Sequence, residues 1–330
     1  MWRKTASDHN LRFGLCNAPA TFQRAVELVL RGLTWKDVLA YLDDIVVVGS
    51  TFEHHLGNLR EVFKRFRKHN LKLKPKKCVL YQKEVKFLGK IVSGDGISVN
   101  PENIEAVSKW PTPKCTKDVE KFLGFVNYHR NHISEYAKRA SVLYSITGKN
   151  AFKWEGEHQG AFDDLKVALV NAPVLAHPNS NDPFILDCDA SNTAIGAELI
   201  QVQNGVERVI SYGSYALTPE QRRYCTTRKE LLALVRFCRQ YRHYLLGRQF
   251  TVRTDHNSLT WLTRFKLIEG QLARWLEELS QYNMVIMHRS GKKHGNADGL
   301  SRIEDPLESC NCYYAGSTLQ SLPCGGCKSQ

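Results

Sequence analysis

Between Phe184 and His288 the sequence changes period in an order that few folds can accommodate. Phe184-Ile185-Leu186-Asp187-Cys188-Asp189 reads as a strand, and Ala194 to Val202 and Arg208 to Tyr215 read as two more. Only turn-length gaps separate these three, so neighbours are expected to pair antiparallel. A long helix is expected from about Arg228 to Leu245, then a strand at Phe250-Thr251-Val252-Arg253-Thr254. A helix follows from Gln271 to Gln281, with Leu272, Trp275, Leu276 and Leu279 on one face. A fifth strand covers Asn283 to His288, and a short helix opens near Asn296. Three antiparallel strands followed by helix, strand, helix, strand and helix predict an α/β layer structure around one mixed sheet.

Four acidic residues occupy the ends of these elements. Asp189 closes the first strand, Glu230 lies near the start of the long helix, Asp255 follows the fourth strand, and Asp298 opens the last helix. If the first and fourth strands are parallel neighbours, their ends meet at one edge, and both helix starts can face it. Four carboxylates there would repel one another unless divalent cations neutralised them. Oxygen donors favour Mg²⁺ or Mn²⁺ over zinc. Two such ions roughly 3.5–4 Å apart activate water and stabilise the leaving oxygen of a phosphodiester. Each residue also has a purely structural reading. Thr227-Arg228-Lys229-Glu230 matches a capping box, Asp298 can complement a helix dipole, and Asp189-Ala190-Ser191 and Asp255-His256-Asn257 can be turn starts.

The first half is organised differently. A helix is expected from about Ala18 to Leu30 with Pro19 in its first turn. A hairpin joins Val38-Leu39-Ala40-Tyr41 to Ile45-Val46-Val47-Val48 with Asp43-Asp44 at the turn. A helix from Phe52 to His69 and two short strands around Phe87-Leu88-Gly89 come next. Asn100-Pro101 caps a helix that stops at Trp110-Pro111, and another covers Thr116 to Tyr128. A small helical domain is therefore expected over 99–149. The whole chain reads as a multidomain protein of α/β and α+β class.

Lys and Arg number 46 against 33 Asp and Glu, a formal net charge of +13. Residues 60–90 concentrate that excess, most densely in Lys72-Leu73-Lys74-Pro75-Lys76-Lys77, with only Glu61 and Glu84 opposing it. Such density points to phosphate binding and a nucleic-acid partner. Apolar content of 42% excludes a wholly disordered chain. No uncharged apolar run is long enough for a membrane helix, so no membrane partner is expected. The first residues lack the apolar core of a signal peptide, and ten scattered cysteines fit reduced thiols, so an intracellular setting is expected.

Phe13-Gly14-Leu15-Cys16-Asn17-Ala18-Pro19-Ala20-Thr21-Phe22-Gln23-Arg24 and Tyr41-Leu42-Asp43-Asp44 are similar to two polymerase motifs of gypsy-type LTR retrotransposon Pol polyproteins, the second being the YxDD signature. Asn70 to Cys78 and Phe87-Leu88-Gly89 resemble the end of the palm and its primer grip. Asp189-Ala190-Ser191, Glu230-Leu231-Leu232-Ala233, Thr254-Asp255-His256 and Ala297-Asp298-Gly299-Leu300-Ser301-Arg302 resemble, in order, the ribonuclease H motifs of that family. The resemblance spans residues 11–302. It implies a partial reverse transcriptase palm over 1–98, a thumb over 99–149, a connection and ribonuclease H-like mixed-sheet domain over 150–303, and a Cys-rich linker over 304–330.

The resemblance further implies that Asp189, Glu230, Asp255 and Asp298 bind two Mg²⁺ ions, with Mn²⁺ as a substitute. The RNA strand of an RNA–DNA hybrid would be cut to leave a 3′-hydroxyl and a 5′-phosphate. His288 or His294 would aid product release, and Lys292 and Lys293 would contact the hybrid. Asp43 and Asp44 take metal-binding roles in the polymerase half. The third polymerase carboxylate belongs to a strand well before Phe13, Asp8 is no substitute, and Leu11-Arg12 stands where the family has Met-Pro. DNA synthesis by this chain alone is therefore not expected. A Pol partner chain or self-association would have to complete that site, and template-primer nucleic acid would be its ligand.

Other features read as structural. Cys310, Cys312, Cys324 and Cys327 have loose spacing for zinc and fit a linker better. His54-His55 face different directions on a helix, Trp110, Tyr128 and Trp154 suit packing, and Asp163-Asp164 suit a solvated face. A reading of a different class also stands, a non-catalytic nucleic-acid-binding scaffold or an inactive transposon relic.

Overall fold

The computed structural model describes residues 16–255 and 270–288, and the chain divides into two compact units, Met1–Gly94 and Asp95–Gln330.

In the first unit, helix α1 (Ala18–Val29) carries Pro19 in its first turn, where the missing N–H costs no helical bond. Strands β1 (Val38–Tyr41) and β2 (Asp44–Val47) form an antiparallel hairpin in which Tyr41 pairs with Asp44. Helix α2 (Phe52–Lys68) begins at Thr51, whose hydroxyl accepts from the His54 amide. Its Val62 and Phe66 meet Val26, Leu30 and Val38 in a small buried core. The basic loop forms a 3₁₀ turn over Pro75–Lys77, and hairpin strands β3 (Glu84–Phe87) and β4 (Lys90–Ser93) follow. His54 is engaged locally, with Asn58 and at 3.4 Å from Asp37.

The second unit opens with β5 (Ile97–Val99), whose Ile97 bridges to Leu175. Gly96 is required there. Its φ is +147°, and a Cβ would stand 2.1 Å from the Leu175 carbonyl oxygen. Helix α3 (Pro101–Ser108) is capped by Asn100, which accepts from the Glu102 amide at 3.2 Å. Helices α4 (Thr116–Tyr128), α5 (Tyr136–Tyr144) and α6 (Gly156–Val170) surround one apolar core. The Phe122 and Phe162 rings meet in it with centroids 4.5 Å apart, tilted to one another, and Trp110 and Trp154 pack against it. Residues 99–149 thus share their core with α6. Tyr128 is 54% exposed and does not pack as expected. Asp164 is not merely solvated; it holds Arg139 at 2.6 Å and ties α6 to α5.

Beyond α6, β6 (Phe184–Ala190), β7 (Ala194–Gln203) and β8 (Val206–Ala216) form an antiparallel meander. A single turn α7 (Pro219–Arg222) leads to α8 (Thr226–Gln240). The long helix breaks at Tyr241, and α9 (Arg242–Leu245) continues the chain to β9 (Gln249–Thr254). Helix α10 (Gly270–Leu279) and β10 (Asn283–His288) complete a five-stranded sheet of order β10-β9-β6-β7-β8. Strand β9 is parallel to both β6 and β10, so the sheet is mixed as the pattern predicts.

Phe184, Leu186 and Cys188 of β6 alternate inward against Leu231, Leu234, Val235 and Cys238 of α8. Each fully buried side chain of this size contributes about 1.5–3 kcal/mol. Gly213 lets α8 approach, since a Cβ there would lie 2.7 Å from the Phe237 ring. On the opposite face Arg253 bridges Asp187 at 2.7 Å and Glu207 at 2.6 Å, and the Ala137 amide of α5 donates to Ser214 Oγ. No described helix is long and apolar enough to cross a membrane.

Candidate metal centre

The parallel pairing of β6 and β9 sets Asp187 opposite Arg253. Two residues further along, Asp189 and Asp255 therefore reach the same edge of the sheet. Glu230 comes to it from α8. The capping box that its spacing suggests does not form: α8 starts at Thr226, Cys225 is the N-cap with no side-chain bond, and Glu230 is the fifth helical residue. Its position two residues further into the helix brings it to the strand ends. Single ligand oxygens of Asp189, Glu230 and Asp255 all lie within 4.8 Å of one another.

Glu230 is only 2% exposed, and its Oε2 has no hydrogen-bond partner. Burial first, then the charges of Asp189 and Asp255, push its pKa up to about 9, against the pull of the Ala190 amide. The Asp189 pKa is also raised. Crowding of its carboxyl away from water is the main cause, followed by Asp255 and Glu135, and Lys138 opposes them. Much of Asp189 reaches solvent, so water is restricted chiefly at the side facing its neighbours. A buried carboxylate oxygen without a partner costs free energy unless something positive sits against it. Three convergent hard-oxygen donors suit Mg²⁺ or Mn²⁺, so the residues present fit the divalent ions implied by the resemblance.

Neighbouring groups hold the centre in shape. His288 Nε2 lies 2.9 Å from the Asp255 carbonyl oxygen, to which its ring N–H donates. Lys229 is buried beside Glu230 and donates to Asn192 Oδ1 at 3.0 Å. Ser191 Oγ accepts from the Ala194 amide, closing the turn after Asp189. Asp298, His294, Lys292, Lys293 and the four tail cysteines lie outside the described residues. A second acidic cluster, Glu155, Glu157 and His158, is accounted for by helix capping and the Lys153–Glu155 ion pair.

In the first unit Asp43 and Asp44 are exposed at the β1–β2 turn. Among the described residues no third Asp, Glu, His or Cys joins them at ligand distance. No motif or spacing in the chain points to what holds this turn. The Gln23 amide of α1 donates to the Ala40 carbonyl at 3.0 Å and accepts from the Leu42 amide at 2.7 Å, fixing Leu42 at a left-handed φ of 49°. Gln23→Ala should remove both bonds and destabilise the hairpin by about 1–3 kcal/mol. Hydrogen exchange at the Leu42 amide should accelerate, and unchanged protection would show that Gln23 is not the clamp.

Two family models match the chain, "Reverse transcriptase (RNA-dependent DNA polymerase)" over residues 3–92 and "RNase H-like domain found in reverse transcriptase" over 179–282. The protein therefore carries reverse transcriptase and ribonuclease H-like domains, and its homologues are Pol polyproteins of gypsy-like and Tf2 LTR transposons. It is 41% identical over 88% of its length to the retrovirus-related Pol polyprotein from transposon 297 of Drosophila melanogaster, covering 27% of that protein. It is 32% identical over 90% of its length to the transposon Tf2-3 polyprotein of Schizosaccharomyces pombe, covering 23%. The chain thus spans about a quarter of the length of these curated relatives. In fold it is similar to the foamy viral protease-reverse transcriptase, in complex with dsDNA (TM-score 0.73, 24% identity, 85% of this chain and 60% of that one) and with RNA/DNA hybrid (TM-score 0.72, 22% identity, 90% and 40%).

Proposed function

We propose that the ribonuclease H-like domain cuts the RNA strand of RNA–DNA hybrids in a divalent-metal-dependent reaction. The observation that carries this reading is the convergence of Asp189 and Asp255 on the buried, unpartnered Oε2 of Glu230. Asp189, Glu230 and Asp255, with Asp298, would hold the metal ions. Two bound ions would supply an activated water and charge neutralisation at the leaving oxygen. The protein's own part is positional. Burial keeps water from Glu230, the β6–β9 pairing sets the spacing of the two aspartates, and His288 steadies the Asp255 backbone. The net charge of +13 and the lysines of 72–77 would hold the nucleic acid through its phosphates. The foamy viral complexes with dsDNA and RNA/DNA hybrid support nucleic acid as the partner.

The test is incubation of the full chain with an end-labelled RNA–DNA hybrid, with Mg²⁺, with Mn²⁺, and with chelator. Cleavage of the RNA strand in both metals and none with chelator is expected. Tight binding without cleavage in either metal would replace this reading with a scaffold.

For the polymerase half, we propose that Asp43 and Asp44 are metal ligands that the described residues leave short of a third. The isolated chain should then bind a primer-template without extending it. Extension of a labelled primer by added nucleotides would overturn this proposal.

A further inference from the structure

The face of the sheet that carries Asp189 is not the face packed on α8. Opposed residues in an antiparallel ladder point to the same side. Asp189 is opposed to Gly196, and Gly196 to Ser214. Ser214 Oγ takes a 3.0 Å hydrogen bond from the Ala137 amide, so Asp189 shares its face with the first turn of α5. Gly196 puts no side chain between them, and a Cβ there would meet only the Gly213 carbonyl oxygen, at 3.9 Å.

Two charged groups flank Ala137 on that turn. Glu135 precedes α5 with a left-handed φ of 51°. Lys138 Nζ lies 3.4 and 3.5 Å from its two carboxylate oxygens. The pair is long and about 40% exposed on each side, so little free energy holds it together.

We propose that Lys138 is a phosphate-binding residue of the nuclease site, donating to a backbone phosphate of the strand that enters the Asp189–Glu230–Asp255 centre. Glu135 keeps the ammonium at the site until nucleic acid arrives. The proposal rests on the nuclease reading above and adds to it a contribution from the helical part of the unit. An ammonium suits this task, because it is a compact charge with three rotatable donors that can leave one oxygen partner for another.

The test compares the full-length parent with Lys138→Gln, Lys138→Arg and Glu135→Gln on a labelled RNA–DNA hybrid in Mg²⁺, together with hybrid binding across a salt series. Lys138→Gln should raise KM several-fold with kcat nearly unchanged, and should reduce the salt slope of binding by about one. Lys138→Arg should restore both, and Glu135→Gln should lower KM. Parent values of KM and salt slope in Lys138→Gln would overturn the proposal. So would a Lys138→Arg variant as impaired as Lys138→Gln with a lowered melting temperature, which marks a structural role. A parent that binds hybrid but does not cut it would count against the nuclease reading instead, and the salt slope would still decide whether Lys138 meets a phosphate.

Discussion

Asp189→Asn should reduce Mg²⁺-dependent cleavage of an RNA–DNA hybrid by more than about 100-fold, since even groups that only orient metal ligands cost roughly 10–100-fold when lost. The substitution keeps the shape of the side chain and its place at the end of β6, but removes the negative charge from the centre. Hybrid binding should persist, because it depends on basic groups elsewhere. Asp255→Asn should behave in the same way, as its oxygen belongs to the same three-carboxylate cluster. The measurement is a single-turnover time course with binding determined in parallel. Cleavage at the parent rate by both variants would end the assignment of this centre.

Glu230→Gln should separate activity from stability. Cleavage should fall as it does for Asp189→Asn, yet the metal-free fold should become more stable at pH 8. The sign follows from linkage. A carboxyl raised from 4.5 to about 9 binds a proton more tightly folded than unfolded. Stability from this group is therefore fully present below about pH 4.5, falls as pH rises, and is gone above about pH 9. At pH 8 the parent should have lost on the order of a few kcal/mol that the glutamine variant keeps. The amide would also donate to the Asp189 or Asp255 oxygens nearby, filling the gap at Oε2.

Mg²⁺ should narrow that difference by stabilising the parent. An ion present at 100 times its Kd stabilises by about 2.7 kcal/mol, and the variant should gain much less. Urea unfolding of both proteins at pH 5 and pH 8, with Mg²⁺ and with chelator, checks this. Equal pH dependence of parent and variant without metal would show that Glu230 is not held in the environment described.

The order of strands and helices, and the mixed sheet they make, were legible because periodicity is a local property. A period of two in β6 and of 3.6 in α10 appears in each segment before anything packs on it. Asp189 and Asp255 were placed at element ends by the pattern alone, and the β6–β9 pairing brings these two candidate ligands to one edge as parallel neighbours should. Other relations were hidden by distance along the chain. The spacing Thr227 to Glu230 matches a capping box, but where α8 begins depends on how the helix packs on the sheet, and that moved Glu230 into the centre. Arg253 of β9 meets Asp187 of β6 and Glu207 of β8 only because β9, β6, β7 and β8 lie side by side in the sheet.

What the sequence determined alone is which segments extend, which coil, and which carboxylates wait at their ends, since those follow from side-chain period and backbone preference. The tertiary structure decided how the charges are felt. It buried Glu230 with one carboxylate oxygen unpartnered, packed the turn of Glu135 and Lys138 on the sheet face that carries Asp189, and set Gln23 under the Asp43 turn. Burial and through-space charge depend on every group nearby, and most of those groups are far away in the chain.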